Sequence, residues 1–222
     1  MRIMKMYIML AAAVAVAGAL IAYTISMQDD TSMDIRTASL MSALTDNASP
    51  VMGDPDAPII LVEFGDYQCH FCHQFFVNTK DRLVSNYIDT GKVVMMFKDF
   101  TIIGPDSISA AEGAHCAQEQ DLYWEYHDTL YHNWDGENTG WASTDNLHSL
   151  AAEAGLDVDA WSACLYSGRY SDTVSSTSND ARALGITGTP SFFVILQNQT
   201  VVNIPGAQPY EQFAQVFDSI LE

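Results

Sequence analysis

Hydrophobic and polar positions alternate along this chain in blocks that predict distinct elements. Tyr7–Met27 is a run of 21 residues without a formal charge. As a helix it spans about 32 Å, close to one hydrocarbon core. Residues 28–50 are polar and end in Asn47-Ala48-Ser49-Pro50, which reads as a linker with one short helical turn near Met33–Leu44. The folded part opens at the turn-rich Gly53–Pro58. Ile59–Phe64, apolar and rich in β-branched residues, predicts a buried strand, and Lys92–Phe97 a second. Between them Phe71, Phe75, Phe76, Leu83, Val84 and Tyr87 keep helical spacing, which predicts a helix over 70–88.

Helical patterns then follow one another: Ala110–Gln120, Leu122–Asn133, Asn146–Ala154, Val158–Tyr166 and Tyr170–Leu184, with Gly155, Gly168 and Gly185 at helix ends. Ser191–Leu196 and Thr200–Ile204 predict a hairpin, and Pro209–Leu221 a closing helix. The order is β-α-β, a block of helices, then β-β-α. That is an α/β fold interrupted by a helical insertion at about 104–185. The organisation expected is an N-terminal segment over 1–27, a linker over 28–50 and one domain over 51–222.

Arg2 and Lys5 precede the apolar run, while Asp29, Asp30 and Asp34 follow it. The positive-inside rule places the N-terminus in the cytoplasm and the rest outside. A cleaved signal has a shorter apolar region, about 7–15 residues, so an uncleaved transmembrane anchor is the expectation. The whole chain carries a formal charge of −19, and residues 28–222 carry −21. No basic stripe is available, which argues against a nucleic-acid partner. Hydrophobic residues make up 48 % of the chain, enough for a packed core.

The candidate chemistry centres on Cys69-His70-Phe71-Cys72, where a strand gives way to a helix. A helix start has free N–H groups and positive dipole character, which favours a thiolate there. Cys69 is expected at the exposed tip, meeting a partner's sulfur, with Cys72 turned inward as the resolving thiol. Glu63 lies six residues upstream on the apolar strand. Burial there favours its neutral form and makes it a proton acceptor for Cys72; the alternative puts Glu63 in solvent at a sheet edge. Gly188-Thr189-Pro190 precedes the strand SFFVIL, and a cis Thr189–Pro190 bond presents the Thr189 backbone to an extended peptide.

These pieces resemble a DsbA-like thiol–disulfide oxidoreductase of the thioredoxin superfamily. The resemblance rests on GDPDAP, LVEFGDYQCHFC, FKDF, HCAQEQ, WSACLYSG, GITGTPSFFV and GAQP, in that order from Gly53 to Glu222. It implies a thioredoxin fold with inserted helices, a nucleophilic Cys69, a resolving Cys72, a buried Glu63, a cis Pro190 and a peptide groove beside Thr189. It implies exported protein substrates with free cysteines, a quinone-linked membrane reoxidase and no bound cofactor. The family often carries proline, or proline with histidine, between its cysteines. Here His70 and Phe71 stand there as tuning residues. Lys98 matches the family's basic position and is expected to cap an exposed strand end.

Four cysteines allow three pairings, and setting aside 69–72 leaves Cys116 with Cys164. In an oxidising compartment a structural disulfide is expected, against two buried free thiols. Disulfide donation is the favoured direction, with isomerase or reductase as alternatives at the same site. A rival of another class remains, because Cys69, Cys72 and His73 also spell the haem-attachment pattern C-x-x-C-H or part of a metal site.

Overall fold

The computed structural model describes residues 34–222; the expected membrane anchor at 1–27 lies outside the described residues. Residues 34–45 are helical (α1). No helix among the described residues is long and apolar enough to cross a membrane. From Ala43 onward the chain folds as one unit.

The central strand β1 (Ile59–Gly65) pairs in parallel with β2 (Val93–Asp99) and antiparallel with β3 (Ser191–Leu196), which pairs antiparallel with β4 (Val201–Pro205). The sheet order is β2-β1-β3-β4. The parallel β1–β2 step needs a crossover, and helix α2 supplies it over 70–88. Alternation along β1 puts Ile59, Leu61 and Glu63 on one face. Ile59 and Leu61 pack there against Phe75, Leu83 and Tyr87 of α2, and against Phe213 and Phe217 of α8 (Tyr210–Leu221). The same alternation turns Glu63 toward α2, in the middle of the sheet rather than at an edge.

Five helices lie between β2 and β3: α3 (Pro105–Gln118), α4 (Tyr123–His132), α5 (Thr144–Glu153), α6 (Val158–Ser167) and α7 (Ser171–Ala183). They enclose a second apolar core. α3 starts with proline, whose missing N–H costs nothing at that position. At the α3–α6 crossing Trp161 Nε1 donates to the Gly113 carbonyl at 2.8 Å. A Cβ on Gly113 would sit 2.8 Å from the Trp161 ring, so only glycine permits this approach. Cys116 of α3 and Cys164 of α6 are joined in a disulfide with Cα atoms 5.8 Å apart.

Two expectations change. Part of the segment read as linker is built into the domain: Leu44 is buried, and Ser49 N and Oγ hydrogen-bond to the Phe97 backbone, just ahead of Met52, which bridges Met95 at the outer edge of β2 as part of the domain. The polar composition of 28–50 hid these backbone pairings, which leave no hydrophobic pattern. Lys98 does not cap an exposed strand end. It is fully buried, and its ammonium donates to the carbonyls of Ala43 and Asp46 and to Asp180 of α7. Those acceptors compensate a cation that burial would otherwise penalise.

Candidate active site

Asp66 fixes the loop between β1 and α2. Its buried carboxylate accepts backbone N–H bonds from Gln68 at 2.9 Å, Ile102 at 2.8 Å and Ile103 at 3.0 Å. The loop after β2 is thereby tied to the turn that delivers Cys69. Cys69 is the N-cap of α2, and its Sγ accepts from Cys72 N at 3.4 Å. The next free N–H, that of His70, is taken by Glu137 Oε1 at 2.9 Å. Trp134, in the same loop as Glu137, donates to the Gln68 carbonyl at 2.8 Å and stacks on His73 at 4.6 Å.

Thr189 and Pro190 directly precede β3, beside the C-terminal end of β1, and are joined by a cis peptide bond. The Thr189 carbonyl lies 3.4 Å from Cys69 Sγ, which donates to it as a thiol. Cys69 is therefore covered, at 3 % exposure, where an exposed tip was expected. The cover is thin. Thr189 is only half-buried, and the neighbours His70 and Phe71 are exposed, Phe71 at 61 %. The sequence points to Thr189-Pro190 as a substrate-facing loop, but not to its carbonyl covering Cys69 from 120 residues away.

Cys69 and Cys72 are free thiols with opposite tendencies. Cys69 is lowered to about 7, first by the hydrogen bond from the Cys72 thiol. Burial opposes this, and the N–H groups of Cys72 and Phe71 assist it. Cys72 is raised well above the usual thiol range by burial, by its hydrogen bond to Cys69 and by the charges of Cys69 and Glu63. One sulfur is thus a thiolate near neutral pH while its neighbour holds a proton beside it. Glu63 is pushed up to about 8 by burial, against the lowering effect of the Lys80 ammonium. Beside Cys72 it is a carboxyl able to give or take a proton near neutrality.

A family model described as thioredoxin matches residues 45–218. The chain belongs to the thioredoxin family. A probable disulfide bond formation protein D of Bacillus cereus is 37 % identical over 147 residues, covering 64 % of this chain and 68 % of the relative. The oxidised BdbD structure of Bacillus subtilis has a TM-score of 0.70 at 25 % identity, covering 78 % of this chain and 92 % of that one. α-DsbA1 of Wolbachia pipientis has a TM-score of 0.71 at 27 % identity, covering 79 % and 92 %. The chain is a DsbA-like thiol–disulfide oxidoreductase.

In this DsbA-like site the structure brings Glu63, Cys69, Cys72, Thr189 and Pro190 together, with His70 and Phe71 on the outer surface. Cys116 and Cys164 stand apart from them in the helical insertion. His73, the last residue of C-x-x-C-H, has its ring stacked on Trp134. No group of three or more metal-ligating side chains is placed to hold an ion among the described residues.

Sequence reading missed Lys80, whose ammonium acts on Glu63, and Asp128 of α4, which accepts from Lys80 Nζ at 2.7 and 2.8 Å. A signal for Lys80 exists: Cys72, Phe76 and Lys80 recur every four residues and share the buried side of α2. Two π-helical turns, Phe76–Lys80 and Val84–Ile88, change the phase along this helix, and a uniform 3.6 period does not contain them.

Proposed function

We propose that this protein donates disulfides to exported proteins through the Cys69–Cys72 pair, with the N-terminal apolar run holding the domain outside the cytoplasmic membrane. The contrast between the two sulfurs carries the reading: Cys69 is lowered to about 7 and Cys72 is raised. The relatives named for disulfide bond formation support the direction. The uncharged span Tyr7–Met27, with Arg2 and Lys5 before it, supports the anchor.

In the oxidised enzyme a substrate thiolate attacks Cys69 Sγ. The Cys69–Cys72 bond breaks, its electron pair stays on Cys72 Sγ, and the Glu63 carboxyl supplies the proton. The substrate's second thiolate then attacks the substrate sulfur of the mixed disulfide and expels Cys69 as thiolate. The Cys72 S–H and the N–H groups of Phe71 and Cys72 hold that charge. The substrate loses two electrons and the enzyme gains them. An extended substrate strand lying along Thr189 takes over the backbone contact that now covers Cys69. Reoxidation follows the reverse path on a more oxidising partner, a quinone-linked membrane protein in this reading. His70 and Phe71 set the environment of the outgoing thiolate.

One observation favours a second reading, isomerase or reductase. A Cys69 value of about 7 is near that of thioredoxin and well above the ~3.5 of DsbA. A weaker thiolate stabilises the dithiol less and makes the pair a milder oxidant. The equilibrium of the 69–72 pair with glutathione separates the donor from the reductase. A potential more oxidising than the ~−180 mV of protein disulfide isomerase supports the donor, whereas ~−270 mV is the thioredoxin value and overturns the donor reading.

A further inference from the structure

Lys80 is the only cation acting on Glu63 among its leading electrostatic influences, yet it gives no hydrogen bond to Glu63 among the described residues. Its ammonium, with a side chain 4 % exposed, is committed to both oxygens of Asp128 at 2.7 and 2.8 Å. The Phe76 ring lies 5.2 Å from the same Nζ. Asp128 is 35 % exposed and sits on α4. The buried ammonium gives its two side-chain hydrogen bonds to Asp128 and acts on Glu63 through its charge alone. A carboxylate facing an uncommitted ammonium at close range would be held ionised, and an ionised Glu63 has no proton to give Cys72.

We propose that Asp128 is a positioning residue for the Cys69–Cys72 exchange: by engaging both hydrogen bonds from Lys80 Nζ it keeps the ammonium off Glu63, so that the Glu63 carboxyl remains free to pass a proton to and from Cys72. The inference rests on the role given to Glu63 above and adds the device that maintains it. The groups facing Glu63 are Lys80, Cys69 and Cys72 from α2 and its cap, and Tyr123 and Tyr131 from α4. Its register neighbours Phe97 and Phe192 are apolar. Those facing Asp128 are Lys80, Asp81, His127 and His132. His127 is held well below the usual histidine range by burial and by the Lys80 charge, so it stays neutral and does not replace Lys80. Lys80 is therefore the link through which Asp128 acts.

The test reads the Glu63 carboxyl directly. In the full-length oxidised protein, where no thiolate titrates beside it, the carboxyl carbon resonance deleted by Glu63→Gln is followed against pH. Asp128→Asn is expected to move its midpoint down by about one to three pH units as Lys80 turns to Glu63. At pH 7.5 the rate of reduction by a small thiol falls with the protonated fraction of Glu63, about three-fold for a one-unit shift from about 8 and about twenty-five-fold for two units. Asp128→Glu restores both. Lys80→Met moves the midpoint up, and in that background Asp128→Asn has no further effect, which also covers the case where Asp128→Asn alone folds poorly. An unmoved midpoint in Asp128→Asn or in Lys80→Met overturns the proposal. So does an equal shift from Asp128→Asn with and without Lys80. If instead Glu63→Gln leaves the reduction rate and its pH profile as they are, the proton role of Glu63 fails, whatever Asp128 does to the midpoint.

Discussion

Cys69→Ser is expected to leave no oxidation of a reduced test protein above the uncatalysed rate. A serine hydroxyl neither forms a disulfide nor becomes a thiolate-like leaving group near neutral pH. Its neighbour gives a different outcome. In Cys72→Ser the remaining Cys69 thiolate attacks a disulfide of the test protein, displaces one of its sulfurs and stops there. No second sulfur is present to resolve the adduct. The variant therefore accumulates a stable mixed disulfide through Cys69, visible as a mass increase that a reductant reverses. Exchange of these two phenotypes between the two positions would reverse the assignment of attacking and resolving sulfur. The prediction draws on the fully buried Cys72 and on the N-cap position of Cys69, which is one residue from the exposed His70.

Replacing Cys116 and Cys164 together by alanine is expected to cost about 4 kcal/mol, from the unfolded-chain entropy of a loop closed over 48 residues. In a domain of this size that corresponds to a fall in Tm of roughly 8–16 °C. The bond ties α3 to α6 next to the Trp161–Gly113 hydrogen bond, in the core of the insertion rather than at the redox pair. Exchange at Cys69–Cys72 is therefore expected to persist in the variant below its Tm. A fall of less than about 3 °C in calorimetry would show that the crossing holds without the bond, well short of the stabilisation expected. Loss of exchange at temperatures where the variant is folded would show that the bond serves the site itself.

The fold was legible where hydrophobic period and burial coincide. Ser191–Leu196 is a strand over those residues because the five apolar positions Phe192–Leu196 follow Ser191 and are bounded by turn residues on each side. Glu63 reads as inward-facing from its apolar neighbours, with solvent at a sheet edge as the alternative, and the central place of β1 in the sheet decides for burial. What escaped depends on contacts between distant segments. The cover over Cys69 comes from Thr189, and the lost exposure of Lys98 comes from Ala43, Asp46 and Asp180. Glu137, which takes the His70 N–H, lies in a loop whose sequence carries no cysteine or histidine pattern to point at the helix start. Ser49 and Met52 pair through backbone or hydroxyl groups, which hydropathy does not register.

The two titrating groups at the site pull stability in opposite senses. Cys69 is depressed below a free thiol, so its contribution to the reduced fold is present at pH 9 and is lost as pH falls through about 7. Glu63 is raised, so its contribution is present at low pH and is lost as pH rises through about 8. Because the two lie close together they titrate as a coupled pair, and a probe specific for one sulfur is needed to isolate the thiolate.

The decisive measurement is the rate of alkylation of the reduced protein by iodoacetamide across pH 5 to 10, with the modified cysteine identified by peptide mass. Modification confined to Cys69, rising with a midpoint near 7, is the result predicted for a shallow sulfur already ionised at the start of α2. Modification that begins at Cys72, or a midpoint at the ordinary thiol value of about 9 for Cys69, would contradict the division of labour between the two sulfurs.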